Sequence, residues 1–297
     1  MVWNNRYLCL FALSIEVLIE HIQAMSFLKT APDRSVNWNS DAIDMFEGLE
    51  KISLRFYDST FMGLYITAAV IVFVSLILYI ALNRPIHRLH RRKNTLTCIV
   101  VWFFEHILFG VGYIPILAQF VQVQYCKTDG TIERYKDVDC WGKDHMTLLE
   151  IGFILSGFAL FLSGVACPVF KCERNGIERK FGNESYFLGM YKLLLFAVVF
   201  LFGPIHDPTP GIVLTVLTIA YLFVYEAYAE LHVASLYMGV LVGQLWVFIC
   251  AATLDSESYA SDMLAAWPAF IVLGYAVLPL KSLVYHRAPK VLSVEKQ

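Results

Sequence analysis

Residues Leu96 to Phe120 read LTCIVVWFFEHILFGVGYIPILAQF, a run greasy enough to cross a bilayer but interrupted by Glu105-His106. A spanning helix needs roughly 17 to 25 predominantly apolar residues, and a charged side chain within one costs roughly 2.5 to 3.5 kcal/mol even on lenient insertion scales. Read as a span, the stretch makes the fold a membrane bundle and requires a partner, a proton or a function for Glu105. Seven other stretches meet the same length requirement: Tyr7 to Leu28, Thr60 to Leu82, Met146 to Phe170, Leu188 to Ile205, Gly211 to Tyr228, Val233 to Leu254 and Met263 to Tyr285. The first is the weakest of the eight, because it carries Glu16, Glu20 and His21.

Composition agrees with that reading. Hydrophobic residues make up 58% of the 297, charged residues 16%, and mean hydropathy is +0.59, values that place the chain among polytopic membrane proteins. The expected fold class is therefore all-α, an integral membrane bundle of about eight transmembrane helices forming one polytopic domain over residues 1–297. No low-complexity tract, soluble domain or linker interrupts it.

Orientation follows from Lys and Arg, which are retained on the cytosolic side. One side collects thirteen, at Arg6, in the loop of residues 83–94, in the loop of residues 171–187 and in the tail; the other collects eight over residues 29–58 and 121–145. Both termini are expected in the cytosol, with the two longer loops exoplasmic. The N-terminus shows no cleavage site of the secretory kind, so the first span reads as an uncleaved anchor. Net charge of -2 decides little, because the charges are sorted by side. The basic loop NRPIHRLHRRKN (83–94) reads as positive-inside topology with attraction to anionic headgroups. The sequon Asn183-Glu184-Ser185 falls in an expected cytosolic loop and should stay unglycosylated.

Of seven cysteines, Cys126 and Cys140 fall in one exoplasmic loop. A disulfide between them would close a ring of about 15 residues and contribute about 3 kcal/mol through loop-closure entropy; the alternative is two free thiols in a reducing compartment. Cys167 and Cys172, at a cytosolic helix end, are plain thiols or palmitoylation sites. Asp41 to Phe56 places Met45, Leu49, Ile52 and Phe56 at helical spacing, as in a helix lying on the outer membrane surface or capping the bundle. Gly110, Gly112 and Pro115 should bend the third span. Small residues at Gly152, Ser156, Gly157 and Gly164, and at Gly239 and Gly243, mark close helix contacts within the bundle or between subunits.

The candidate site is the set of midplane polar residues Glu16, Glu20, Glu105 and His106. Glu16 and Glu105 each lie about ten residues into their helices, roughly 15 Å deep at 1.5 Å per residue. Glu20 and Gln23 follow Glu16 at i+4 and i+7, so the three share a face that must point into the bundle or a wet cavity. If the first and third spans touch, the cluster either holds helices together by hydrogen bonding, handles an ion or proton, or binds a ligand. Lys192 and Lys281, each within about five residues of a cytosolic helix end, are expected to snorkel to the headgroups, the alternative being a pair with a buried Glu. Glu150, Glu226, Glu230 and His232 are interfacial by position. Glu226-x-x-x-Glu230-x-His232 has the look of a metal site but lacks a Cys or His repeat at ligand spacing.

An integral membrane enzyme is the competing class. The eight histidines are scattered, only His87-x-x-His90 pairs two of them, and no nucleophile elbow, zinc-protease helix or phosphate loop is present. No enzymatic activity, metal or cofactor is therefore expected, and no nucleic-acid partner; the expected partners are the lipid bilayer and other membrane subunits or a second copy of the chain.

The first span with Glu16, Glu20 and Gln23 ahead of Ser26-Phe27, the third ending in Tyr113-Ile114-Pro115-Ile116-Leu117, and Tyr125-Cys126 through Asp139-Cys140-Trp141 to His145 together resemble the polytopic membrane region of protist "tiny macrocysts"-like proteins. That region is found in amoebae and ciliates, also ahead of PAS, kinase or cyclase modules. The resemblance covers most of the chain and implies a sensory or signalling membrane module without a catalytic site. The chain departs from the fused pattern by ending about a dozen residues after the last span, which favours a stand-alone subunit or a truncated chain. The expected function is a multi-pass signalling or accessory subunit; the alternative is an ion- or proton-conducting channel or transporter using the midplane carboxylates.

Overall fold

The computed structural model describes residues 6–26, 44–45, 48–49, 61–89, 103–124, 126, 130–132, 135–166, 183–202, 209–225, 231–253 and 264–287. The apolar runs fold as helices: α1 (Arg6–Met25), α2 (Phe61–Leu89), α3 (Tyr113–Val121), α4 (Lys143–Phe161), α5 (Asn183–Phe202), α6 (Thr209–Tyr225), α7 (Leu231–Thr253) and α8 (Trp267–Arg287). Four helical stretches are long and apolar enough to cross a membrane: Phe61–Ile80, Ile107–Gln124, Lys143–Gly164 and Leu231–Ala252. The apolar stretches Phe187–Val199, Thr209–Tyr225 and Trp267–Leu283 are shorter. The eight-span expectation is thus met in helix number, with half of the helices long and apolar enough by themselves.

Apolar side chains face both ways. On α2, Ile66, Val70, Phe73 and Ile77 are exposed while Phe61, Tyr65, Ala68 and Val72 are buried. A helix hydrophobic on its outer face as well as its inner one suits an apolar surrounding better than water. By contrast α3 is buried along nearly its whole length and forms the centre of the bundle, packed by α1, α2, α4 and α5.

The expected bend in the third span is a break between two kinds of helix. A π-helical segment (Phe103–Val111) runs up to Gly110, whose backbone at φ -89°, ψ -105° is not helical. The Gly112 amide then donates to the Ile107 carbonyl at 2.7 Å, five residues back, before α3 begins. A Cβ on Gly112 would lie 2.7 Å from both the Ile107 and Leu108 carbonyl oxygens, so the tight turn requires glycine. Pro115 falls in the first turn of α3, where no intrahelical donor is needed.

Glycine spacing on α7 produces the tightest helix contact among the described residues. A Cβ at Gly239 would meet the Ile271 carbonyl at 2.6 Å, and one at Gly274 would lie 2.7 Å from Val242 Cβ. The Gly239-x-x-x-Gly243 motif therefore seats α7 on α8 within the chain, as backbone approach allows. On α4, Gly152 abuts the Phe120 carbonyl and the Tyr65 hydroxyl, whereas Gly157 faces open space and makes no contact of that kind.

The loop before α4 departs from an all-helical plan. Strands β1 (Thr131–Ile132) and β2 (Tyr135–Asp139) pair antiparallel, Cys140 N–H donates to the Gly130 carbonyl at 2.7 Å, and Cys126 and Cys140 are joined as a disulfide. The ring closure expected from spacing is present. Of the expected surface helix of Asp41 to Phe56, residues 44–45 and 48–49 are described: they are helical, and Met45 and Leu49 pack against the core. The rest of that stretch, the thiols Cys167 and Cys172, the side chains of the basic loop and of the sequon, and both chain ends lie outside the described residues.

Candidate functional site

α1 carries its polar residues on the sides that meet the bundle. It packs against α3, α5, α7 and the π-helical segment. Glu20 is 1% exposed, and its Oε1 accepts a hydrogen bond from Lys192 Nζ of α5, itself only 5% exposed. Lys192 therefore does not snorkel: its stem points inward, to the Glu20 carboxylate of α1. The ammonium also lies 5.0 Å from the centre of the Tyr113 ring, over its face, and the Tyr113 hydroxyl donates to the Lys192 carbonyl at 3.2 Å. Three helices, α1, α3 and α5, thus meet at one buried ion pair. Removing one partner from such a pair costs about 3–5 kcal/mol, because the other is left as an uncompensated buried charge.

His21, one residue on and about 100° round α1, turns the other way. Its Nε2 accepts the indole N–H of Trp267 at 3.1 Å, with ring centres 5.3 Å apart. An accepting Nε2 requires the neutral tautomer with its hydrogen on Nδ1, and that buried atom has no partner among the described residues. α1 is tethered by polar groups on two sides, to α5 through Glu20 and to α8 through His21.

Of the remaining expected site residues, Glu16 is partly buried one turn below Glu20. Glu105 and His106 lie on the π-helical segment, which packs against α1 as the clustering of the first and third spans requires; their side chains lie outside the described residues. Lys281 donates to the Phe223 carbonyl near the end of α6, with its ammonium 4.5 Å from the Phe223 ring centre. His232 turns Nδ1 to the Tyr275 hydroxyl at 2.7 Å and Nε2 to Ser14 Oγ at 3.5 Å, while Glu226 and Glu230 lie outside the described residues.

At the opposite end from the ion pair, His145 opens α4 fully buried. Its Nδ1 accepts the Trp141 amide N–H at 2.8 Å, so its Nε2 carries the hydrogen and donates to the Val123 carbonyl at 2.8 Å. Trp141, with φ +67°, occupies the left-handed region that costs a non-glycine residue roughly 1–2 kcal/mol. The Cys126 and Cys140 sulfurs and a His145 nitrogen gather within 4.8 Å of one another, as metal ligands do. With the sulfurs joined covalently and both ring nitrogens hydrogen-bonded, the group is a brace that fixes the hairpin to the start of α4.

Sequence reasoning placed Gln23 on a buried face but missed three further buried carboxamides, Gln119, Gln122 and Gln244. Gln23 Oε1, Gln119 Oε1 and both amide atoms of Gln122 and of Gln244 have no hydrogen-bond partner among the described residues. Each unsatisfied polar atom of this kind costs about 1–3 kcal/mol. The signal was available for Gln119 and Gln244, which lie inside the third and seventh apolar runs where polar side chains are rare, but not for Gln122, which lies just past the third.

No protein-family model, no curated protein and no solved structure matches the chain. Several of its helices are long and apolar enough to cross a membrane.

Proposed function

We propose that the chain is an integral membrane protein of eight spans with both termini cytosolic, acting as a non-enzymatic signalling or accessory subunit whose midplane charges specify helix pairing. The observation that carries this reading is the pairing of buried Glu20 with buried Lys192. A carboxylate already neutralised by an ammonium of the same bundle offers little field to a passing cation, whereas it fixes which residues of α1 and α5 must lie opposite each other. The apolar outer faces of α2 and α4 support a bilayer as surroundings, and the resemblance to the "tiny macrocysts" membrane region supports a sensory role.

Ion or proton conduction is the second reading. It is favoured by the buried glutamines that have no partner among the described residues and by the packing of the Glu105 segment on α1. Flux of cations and protons into proteoliposomes holding the purified chain separates the two. No flux from folded wild-type protein is expected; flux that disappears in Glu16→Gln/Glu20→Gln/Glu105→Gln would overturn the subunit reading.

A further inference from the structure

We infer that the seam between α1 and α3 is a hydrated half-channel, a built binding site for a short file of water molecules that connects the Glu20–Lys192 pair to the disulfide-braced end of the bundle. The inference begins with direction. On α1, His21 takes the α8 side and Glu20 the α5 side. Ser14, about 20° from His21 round the helix at 3.6 residues per turn, takes the α7 side through His232. Gln23 lies about 60° from Glu20 in the sense away from His21, and of the elements packed on α1 this leaves α3 and the π-helical segment before it. On α3, Tyr113 takes the α5 side, and Phe120 meets Tyr65 of α2 edge-on and Gly152 of α4. Gln119 of α3 and Gln122, which follows the helix with its backbone still right-handed helical and opens a short 3-10 turn packed against α4, lie about 120° and 180° from Tyr113 round the helix axis. Of the four helices packed on α3 this leaves α1.

Height gives the order. Glu20 and Tyr113 both meet Lys192 and so mark one level. Gln23, Gln119 and Gln122 follow them in sequence by three, six and nine residues. With α1 and α3 crossing in the same direction, which rests on the eight-span reading above, all three lie on one side of the ion pair. Gln122 is the last of them, next to Val123, whose carbonyl receives His145 beside the disulfide.

Chemistry names the occupant. The three side chains are 1%, 5% and 0% exposed, and their atoms without a partner among the described residues include both acceptors and a donor group. Water is the ligand that satisfies a mixed set of carboxamide donors and acceptors, and buried waters are found where such groups would otherwise be unsatisfied. The Glu20–Lys192 pair at the inner end sums to no net charge, so it holds no excess attraction for a metal cation.

Two measurements test the inference. Hydroxyl-radical footprinting of the wild-type full chain in nanodiscs reports water next to buried side chains, and needs no substitution. Oxidation of Ile116, 6% exposed and about 60° from Gln119 round α3, is expected well above that of comparably buried Leu278 on α8, 5% exposed; equal protection of the two overturns the inference. In sealed vesicles, Gln23→Cys, Gln119→Cys and Gln122→Cys are made in a chain whose Cys9, Cys98, Cys167, Cys172 and Cys250 are alanine. They are then treated with Ag⁺, a thiophilic ion small enough to follow a water file. Blocking is expected at least about tenfold faster than at Leu117→Cys, since a dry core position reacts only by local opening. It is also expected from the vesicle face that reaches Lys143→Cys, fastest at position 122. Rates equal to that of Leu117→Cys, or blocking from the opposite face alone, overturn it. Because Lys143→Cys marks the face, an inverted topology or absent ion flux leaves both tests readable.

Discussion

The ion pair of α1 and α5 makes a quantitative prediction about coupling. Glu20→Gln keeps the shape of the side chain but leaves Lys192 as a buried ammonium facing a neutral amide; Lys192→Met keeps an unbranched stem but leaves Glu20 without its cation. Each single change is expected to cost about 3–5 kcal/mol, the penalty for an unpaired buried charge. The double variant buries no charge. Its expected cost is no more than that of one single variant, so the coupling energy of the cycle is about 3 kcal/mol or more. That is well beyond the 0.3–0.5 kcal/mol within which independent sites add. Equilibrium unfolding of the four proteins in mixed micelles, followed by circular dichroism, measures the cycle. If Lys192 reached the headgroups instead, Lys192→Met would cost little and the two changes would add. Additivity within about 0.5 kcal/mol would therefore refute the buried pair.

Further outcomes follow from local geometry. Cys126→Ala/Cys140→Ala is expected to lower stability by about 3 kcal/mol, the loop-closure contribution of a ring of this size, and mass spectrometry under non-reducing conditions checks the bond itself. Gly274→Ala places a Cβ 2.7 Å from Val242 Cβ and 2.9 Å from Gly239 Cα; overpacking of that order costs about 1–3 kcal/mol. Gly157→Ala, which meets nothing within 4 Å, is expected to stabilise by about 0.5–1 kcal/mol through helix propensity, and thermal unfolding compares the two. Trp141→Gly relieves a left-handed backbone at an exposed position and is expected to be neutral or stabilising by up to about 1 kcal/mol. Loss of more than about 1 kcal/mol on thermal unfolding would mean that the indole makes contacts outweighing the backbone cost.

What could be read from the sequence was what repeats or sits close together along the chain. Apolar runs gave the helices because burial and backbone satisfaction both follow from a local pattern. The Gly110, Gly112 and Pro115 cluster gave the break, and Gly239-x-x-x-Gly243 gave a close contact, because a missing Cβ is a property of the residue itself. Cysteine spacing gave the disulfide. The partner of Glu20 was not legible in this way: Lys192 lies 172 residues away, and its position five residues from a helix end admits either snorkelling or pairing. The hairpin was hidden by polar strand residues, Lys136, Asp137 and Asp139, which lack the alternation that marks a half-buried strand. The left-handed Trp141 had no glycine or asparagine to announce it, because the strain is offset by His145 and the disulfide.

The two ways in which this bundle joins its helices differ in what can undo them. α7 and α8 meet through Gly239, Gly243 and Gly274, a contact of backbone approach and dispersion that itself carries no charge, with His232 bonded to Tyr275 as a titratable group of the same interface. α1 is attached by Glu20 to Lys192 and by His21 to Trp267, contacts that depend on the protonation state of a carboxylate and an imidazole. A proton delivered to Glu20 would remove the attraction and leave the ammonium without its anion; one delivered to Nε2 of His21 would replace an acceptor by a donor and break the indole bond. The glycine contacts of α7 with α8 therefore do not depend on protonation, whereas α1 is seated by two contacts that do. For the signalling role proposed above, α1 is where an input must act, and the seam bearing Gln23, Gln119 and Gln122 is the side from which it would arrive.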